Sequence, residues 1–298
     1  MIDSYFSIAA HTVRLSLPDG WEWEELLPSF LPFKSTVPPD GKWMCSVEVR
    51  TEQLQADLSG VKLLAEEREM LGDSLKLYQK GNSYVADLRI TPDGDTYRMV
   101  CNRTFAEAQA YIGKTGQASA DALRGFLMFV YAQSAVLCRT AMLHASVVIK
   151  DGKGYAFLGK SGTGKSTHSS LWLKTFEDAE LLNDDNPVIR LEEDDKVYIY
   201  GSPWSGKTPC YRNLRVPLEA YVRLEQAPVN VFIHKEGLAA FVDLLPSCSA
   251  MRWDGYLYSA LCDLVQECTT RVEAGYLKCL PNEEAARMCY NELTKKNI

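Results

Sequence analysis

Residues 155–167 have the sequence YAFLGKSGTGKST, which fits the pattern G-x-x-x-x-G-K-[S/T] of a phosphate-binding loop. The apolar run before the glycines is typical of a strand, and His168 to Phe176 has the spacing of a helix. In this context the backbone N–H groups of the turn point to the positive end of the helix, where a phosphate is stabilised. The predicted nucleotide-binding residues are Gly159, Lys160, Ser161, Gly162, Thr163, Gly164, Lys165, Ser166 and Thr167.

Two side chains of this loop have distinct predicted roles. Lys165 would reach the β- and γ-phosphates of ATP, and the Ser166 hydroxyl would bind Mg²⁺. The sequence therefore predicts ATP and Mg²⁺ as cofactors.

A second stretch, Gly201 to Thr208, fits the same pattern. Pro203 removes a backbone donor there, Trp204 is bulky where a phosphate would lie, and no long amphipathic helix follows. We therefore expect the first match to bind the nucleotide. The second is either a surface loop or a helper of the site, in which Lys207 and Arg212 would clamp the transferred phosphoryl group or an acidic acceptor.

An acidic pair, Asp184-Asp185, follows the first apolar strand after the loop helix, Ala179 to Leu182. Carboxylates at such a strand end face the metal and the γ-phosphate in phosphate-loop folds. A kinase needs one carboxylate to hold Mg²⁺ and another to orient the acceptor hydroxyl and take its proton. The alternative is a solvated acidic turn, which is our interpretation of Glu192 to Asp195.

Histidine is scarce, with four in the chain. His144 begins the apolar segment before the loop, where a lone histidine is more often a core residue than a catalytic one. His168 is predicted to be an exposed helix residue.

Composition restricts the class of protein. The chain has 298 residues, of which 46% are hydrophobic, and a net charge of −7, so nucleic acid is not a favoured partner. The longest apolar run, about Gly125 to Cys138, is too short to span a bilayer. Nine single cysteines without a C-x-x-C pair favour reduced thiols and no zinc site. We expect a cytoplasmic protein without a membrane partner.

The periodicity divides the chain into a β-rich region, residues 1–116, a connecting helix, 117–140, and a nucleotide-binding domain, 141–298. The overall class is α/β, or α+β with its mainly antiparallel front half. Phe105 to Ile112 is expected to extend a β-meander, and Pro28 to Asp40 to be irregular. The pattern of Glu52 to Leu71 is ambiguous. Further predicted elements are a helix at Ala118 to Arg139 and a strand at Met142 to Ile149.

Three segments together resemble the C-terminal domain of HPr kinase/phosphorylases. They resemble more closely the HPr-kinase-like proteins found with peptide-modification systems, which share a nucleotide-binding fold with ATP-dependent phosphoenolpyruvate carboxykinase. The similarity is specific over residues 142–191, weaker over 216–298 and loose over 1–140. The segments are Met142 to Val148, Ala156 to Thr167 and Leu181 to Asp185.

The resemblance implies a phosphoenolpyruvate-carboxykinase-like phosphate-loop domain. It makes Asp184 the base near the acceptor hydroxyl and Asp185 metal-associated, or the reverse. It also makes His144, close to the pair, a catalytic residue together with Lys165. Thr167 stands where HPr kinase/phosphorylases usually carry Glu, and their second signature region is missing. These departures count against HPr as acceptor and against the phosphorylase reaction.

The expected activity is transfer of the γ-phosphoryl group of ATP to a hydroxyl of a peptide or protein acceptor, on a serine. The β-rich front half would select that acceptor, and the family favours a homo-oligomer. Two alternatives stay open: an ATP-binding module without transfer activity, and a small-molecule kinase or carboxykinase-like enzyme.

Overall fold

Alternation of apolar and polar residues places the first strands. In HTVRLSL, for example, Val13 and Leu15 are buried while Thr12 and Arg14 are partly exposed. The computed structural model describes residues 1–52, 59–68 and 72–295, and it divides into two units, Met1–Ala135 and Val136–Ile298. The strands of the first unit are β1 (Ile2–Ile8), β2 (His11–Leu17), β3 (Lys34–Ser35), β4 (Cys45–Arg50), β5 (Lys62–Arg68), β6 (Ser74–Lys80), β7 (Ser83–Arg89), β8 (Thr96–Asn102) and β9 (Glu107–Tyr111).

These strands form one sheet in the order β3-β1-β2-β4-β9-β8-β7-β6-β5. Most neighbours are antiparallel, as predicted, but β4 pairs in parallel with both β2 and β9. The segment at Phe105 to Ile112 extends the meander, as predicted, because β9 pairs antiparallel with β8 and continues the series β5-β6-β7-β8. Of the ambiguous stretch, Lys62–Arg68 is a strand, and residues 53–58 and 69–71 lie outside the described residues.

Helices of the first unit are α1 (Trp23–Leu26) and α2 (Gln117–Ala135). Pro28–Phe33, predicted to be irregular, forms a 3₁₀ helix. The apolar face predicted for α2 is buried, and the Tyr131 hydroxyl donates to the Ile8 carbonyl at 3.2 Å. The helix ends at Ala135, earlier than Arg139, and a 3₁₀ turn, Val136–Cys138, follows in the second unit.

The second unit combines strands with helices. Its strands are β10 (Thr140–Met142), β11 (Ala145–Lys150), β12 (Lys153–Leu158), β13 (Glu180–Asp185), β14 (Val188–Leu191), β15 (Val197–Tyr200), β16 (Arg215–Gln226), β17 (Val231–Lys235) and β18 (Glu273–Cys279). Its helices are α3 (Lys165–Thr175), α4 (Gly237–Leu244), α5 (Gly255–Thr269) and α6 (Glu283–Thr294).

The central part of the second sheet has the order β13-β11-β12-β16-β18-β17. Strands β12, β16 and β18 are parallel, and β13 runs the same way because both it and β12 are antiparallel to β11. The beginning of β16 also pairs with β15, which leads to β14 and β10. With these sheets and helices, the protein is a mixed α/β structure with large sheets.

Helix α3 packs on the sheet through an aromatic core. Trp172 is fully buried, with its ring centroid 4.9 Å from that of Tyr155 and 5.3 Å from that of Phe157. Tyr290 of α6 lies against the same tryptophan at 5.7 Å. This packing fixes the angle at which α3 leaves the loop.

The predicted strand Met142 to Ile149 is wrong as a single element. Leu143 and His144 separate β10 from β11, and their backbone N–H groups donate to Pro187 and Ser247 rather than to a sheet partner. The interruption lets β10 pair with β14 while β11 pairs with β12 and β13.

Two further predictions concern the cysteine thiols and membrane-spanning helices. The nine cysteines are all free thiols, four of them buried and Cys138 exposed. Nowhere in the described ranges is there a helix long and apolar enough to cross a membrane.

Candidate functional site

The phosphate-loop pattern folds as the context predicted, between β12 and α3. Gly164 caps the helix with φ +105°, a left-handed conformation that an L side chain rarely adopts. At Gly159 an added Cβ would lie 3.0 Å from the Thr163 side chain. Both glycines are therefore required by the turn, which brings the first N–H groups of α3 to its mouth.

Lys165 is folded into this turn and is only 8% exposed. Its Nζ donates to the carbonyl of Gly159 at 3.0 Å and lies 2.8 Å from His144 Nε2. Burial lowers the pKa of this ammonium group, while the nearby Asp185 and Asp184 carboxylates raise it. The lysine is thus held by protein acceptors at the place where it would meet phosphate oxygens.

The register of the sheet explains why the predicted residues converge. Ala145 is the Cα partner of Leu158 on one side, where the loop begins, and of Asp185 on the other. His144 directly precedes Ala145. Since β12 and β13 run in the same direction, their carboxyl ends meet at one edge of the sheet, with His144 between them.

Lys165, His144 and Asp185 form a continuous hydrogen-bonded chain. His144 Nδ1 lies 2.9 Å from Asp185 Oδ1, and its Nε2 faces the lysine ammonium. Because an ammonium can only donate, we assign the proton of a neutral His144 to Nδ1, which donates to Asp185. These two hydrogen bonds hold the imidazole ring of His144 in place through both of its nitrogens.

Asp185 stands in an unusual backbone conformation, with φ +124°. A non-glycine residue adopts such a φ only where its surroundings impose it. Burial alone would raise the pKa of Asp185, but the hydrogen bonds of His144 and Asn186 and the charge of Lys165 hold it below its ordinary value. Asp185 is therefore an ionised, half-buried carboxylate with a fixed direction.

Asp184 has a different partner. The Ser166 hydroxyl donates to Asp184 Oδ1 at 2.9 Å, and Asp184 is buried. A hydroxyl and a carboxylate oxygen this close, beside a phosphate-binding turn, fit the way Mg²⁺ is held, which is by one or two protein oxygens together with phosphate oxygens and water. Ser166 and Asp184 would hold the ion, whereas Asp185 is occupied by His144 and Asn186.

The second formal match, Gly201 to Thr208, does not precede a helix. Instead its backbone packs against the acidic pair. Gly206 N–H donates to the Asp184 carbonyl, and Ser205 forms an isolated bridge with Asp185. A Cβ on Gly206 would lie 3.1 Å from that of Asp185, so the glycine here permits close contact with the site.

The two predicted clamp residues are placed differently. Lys207 follows Gly206 and is exposed beside the acidic pair. Arg212 donates to the Leu181 carbonyl at 2.9 Å and pairs with Glu180 at 2.7 Å, near the beginning of β13. The backbone next to Lys207 thus contacts the acidic pair, whereas Arg212 has its partners at the other end of the strand.

Sequence reasoning missed Asn183, which is fully buried. Its Nδ2 donates to the Trp204 carbonyl at 3.0 Å, and its Oδ1 accepts from Asn186 N–H at 2.9 Å. It therefore ties the end of β13 to the loop from Gly201 to Thr208. The signal was a run of four polar residues, Asn183 to Asn186, ending a buried strand.

The prediction that His168 is exposed is wrong. Its side chain is 2% exposed, and its Nε2 accepts from Trp172 Nε1 at 3.1 Å. The reason is helical geometry, because His168 and Trp172 are four residues apart and share the face of α3 that packs on Phe157.

Comparison with known proteins gives a limited result. No protein-family model matches the chain, and no curated protein matches its sequence at a significant level. Among solved structures, the HPr(Ser) kinase/phosphatase from Coxiella burnetii is similar, with 11% identity and a TM-score of 0.30 over 51% of this chain and 95% of that chain.

Proposed function

We propose that this protein is an ATP-dependent phosphotransferase of the HPr-kinase-like type, with a phosphoenolpyruvate-carboxykinase-like nucleotide-binding domain. It moves the γ-phosphoryl group of ATP to a hydroxyl, on a serine of a peptide or protein. The observation that carries the proposal is the convergence of Lys165, Ser166, His144 and both aspartates at one sheet edge. Phosphate-binding and carboxylate groups so arranged fit phosphoryl transfer better than binding alone.

The phosphate end of the nucleotide lies at the turn before α3. The first N–H groups of the helix and the Lys165 ammonium would bind its oxygens, and Ser166 and Asp184 would hold Mg²⁺. The ion would neutralise charge that develops on the transferred group.

Asp185 prepares the acceptor. Its carboxylate is ionised, since its pKa is held below the ordinary value. An acceptor hydroxyl donating to Asp185 is oriented for attack, and the aspartate takes its proton as the new P–O bond forms, the bond from the γ-phosphorus to the bridging oxygen breaks and ADP leaves. His144 holds the carboxylate in place. Lys207, an exposed residue next to Gly206, would approach a phosphoryl group or an acidic acceptor.

The test compares binding with transfer. Thermal unfolding is measured with and without Mg·ATP, and γ-³²P-labelled ATP is offered with serine peptides and with free hydroxy acids. Lys165→Ala should remove the ATP-induced shift and lower transfer at least about a hundred-fold, because it removes a cation from the phosphates. Lys174→Ala, an exposed lysine in the last turn of the same helix, is the control and should change neither.

Three results would contradict the proposal. Mg·ATP protection without transfer to any hydroxyl would favour a binding module, and transfer to hydroxy acids alone would favour a small-molecule kinase. Unchanged protection in Lys165→Ala would remove the loop from the site.

A further inference from the structure

A cavity of about 480 Å³ lies on the other side of the phosphate loop from the acidic pair. Its volume is within the range of small-molecule sites, roughly 300–1,000 Å³. Its walls are mainly apolar and come from three places: the first turns of α3, the end of β16 and the end of β18. The lining residues are Thr163, Gly164, Thr167, His168, Leu171, Leu224, Gln226, Ala227, Pro228, Cys279, Leu280 and Pro281.

The position of the cavity follows from the sheet order. Strand β12, which leads into the loop, has β11 and β13 on one side and β16 and β18 on the other. Lys165 and Ser166 face the first side, where they meet His144 and Asp184. Thr163, Gly164 and Thr167 line the cavity on the second side. A ligand that lies across the loop would thus have one end at each site.

The wall of the cavity is joined to the loop. Gln226, at the end of β16, donates from Nε2 to the Gly162 carbonyl at 3.1 Å. Ala227 N–H donates to the Cys279 carbonyl at 3.1 Å, which ties the ends of β16 and β18 together. These contacts make the cavity and the phosphate loop one connected structure.

One lining residue has an unused hydrogen-bond donor. His168 accepts at Nε2 from Trp172 Nε1–H, and because an indole can only donate, the ring carries its proton on Nδ1. That Nδ1 is buried and has no hydrogen-bond partner among the described residues. A buried donor without an acceptor costs free energy, which a ligand supplying an acceptor would recover.

We propose that this cavity binds the nucleoside half of the nucleotide, with the base between the apolar walls and an acceptor atom of the nucleoside on His168 Nδ1–H. This inference rests on the proposed function. A flat ring with polar edges matches apolar walls that carry a few polar groups, and the adjoining turn supplies the phosphate end. The nucleotide then lies with its γ-phosphate towards Asp184 and its base towards Leu280.

The test distinguishes binding of the nucleoside from binding of the phosphates. Calorimetry measures the affinities of Mg·ATP and Mg·tripolyphosphate, which has the phosphates without the nucleoside. Ala227→Phe fills the cavity, and Val229→Phe, two residues further on and exposed, is the matched control. We expect Ala227→Phe to weaken Mg·ATP at least about ten-fold, as a blocked pocket should, and to leave tripolyphosphate unchanged. Val229→Phe should bind both ligands as the wild type does.

The contrary outcomes are distinct. Equal affinity of the wild type for ATP and tripolyphosphate, or equal weakening of both ligands by Ala227→Phe, would overturn the nucleoside site while leaving phosphate binding intact. Binding of neither ligand to the wild type would overturn the proposed function and this inference with it.

The role of His168 has its own spectroscopic readout. In protein labelled with ¹⁵N-histidine, the His168 Nδ1 resonance, assigned with His168→Gln, should shift on addition of Mg·ATP and remain in place with Mg·tripolyphosphate. An unchanged resonance with Mg·ATP would remove His168 from the site.

Discussion

Asp184 and Asp185 are neighbours in sequence, yet their carboxylates have different partners. Alternation along β13 turns them apart, and the positive φ of Asp185 directs its side chain to His144. Ser166 binds Asp184 instead. This arrangement favours the exchanged assignment, in which Asp184 holds the metal and Asp185 is the base.

The two aspartates should therefore respond differently to substitution. Asp185→Asn should keep Mg·ATP protection against thermal unfolding and lower transfer at least about a hundred-fold, because the group that takes the proton is lost. Asp184→Asn should raise the Mg²⁺ concentration needed for half-maximal ATP binding. Titration of Mg²⁺ and single-turnover transfer measure the two effects.

Glu193→Gln, in the exposed acidic turn that follows β14, is the control for loss of one carboxylate and should change neither quantity. If Asp184→Asn lost transfer with normal Mg²⁺ dependence and Asp185→Asn altered the Mg²⁺ requirement, the opposite assignment would be correct.

His168 gives the protein a pH-dependent stability. Its pKa is about 4 in the folded protein and 6.5 when solvated, so between these values the unfolded chain binds more protons. Stability therefore falls as pH decreases through this window, by about 2 kcal/mol between pH 7 and pH 5 for this group alone.

His168→Gln should flatten that dependence, since glutamine does not titrate and its oxygen can accept from Trp172. Urea unfolding at pH 7 and pH 5 measures the difference in each protein, and comparison of the two slopes cancels any constant loss of stability. An identical slope in the variant would show that His168 does not remain neutral in the folded protein.

At the scale of elements, local patterns determined most strands and helices but not their partners. The apolar run from Met142 to Ile149 looks like one strand, because nothing in it shows that Leu143 and His144 bond to Pro187 and Ser247. That interruption is what brings His144 into the site. Similarly, the position of β9 beside β4 depends on a long-range parallel pairing that alternation cannot encode.

The two formal matches to the phosphate-loop pattern show what sequence could decide at the site. Pro203 and the missing helical pattern distinguish them in the sequence, and the structure has no helix directly after the second. Its packing against the acidic pair was not predictable, because it depends on buried Asn183, whose partners lie about twenty residues away. A buried polar side chain is recognised only once its acceptors are known.

At the scale of the whole chain, every residue proposed for phosphate, metal and nucleoside binding lies in the unit Val136–Ile298. That unit has its own core, in which Phe157, Trp172 and Val222 are buried. The unit Met1–Ala135 has a separate sheet and supplies none of these residues. The change from alternating to helical periodicity predicts a division at residues 116 and 140, whereas the connecting helix belongs to the first unit in the structure.

This division leads to a prediction for the isolated second unit. A fragment of residues 136–298 should fold and bind Mg·ATP within about threefold of the full chain, because a compact unit with its own core and all ligand-binding groups can act alone. Transfer to a peptide acceptor should fall much further if the front unit selects that acceptor. Circular dichroism checks folding, calorimetry checks binding, and Lys165→Ala in the fragment should abolish the binding.

Two outcomes would contradict this prediction. A folded fragment that cannot bind Mg·ATP would show that the nucleotide site needs residues of the front unit. Full peptide transfer by the fragment would show that the front unit does not select the acceptor.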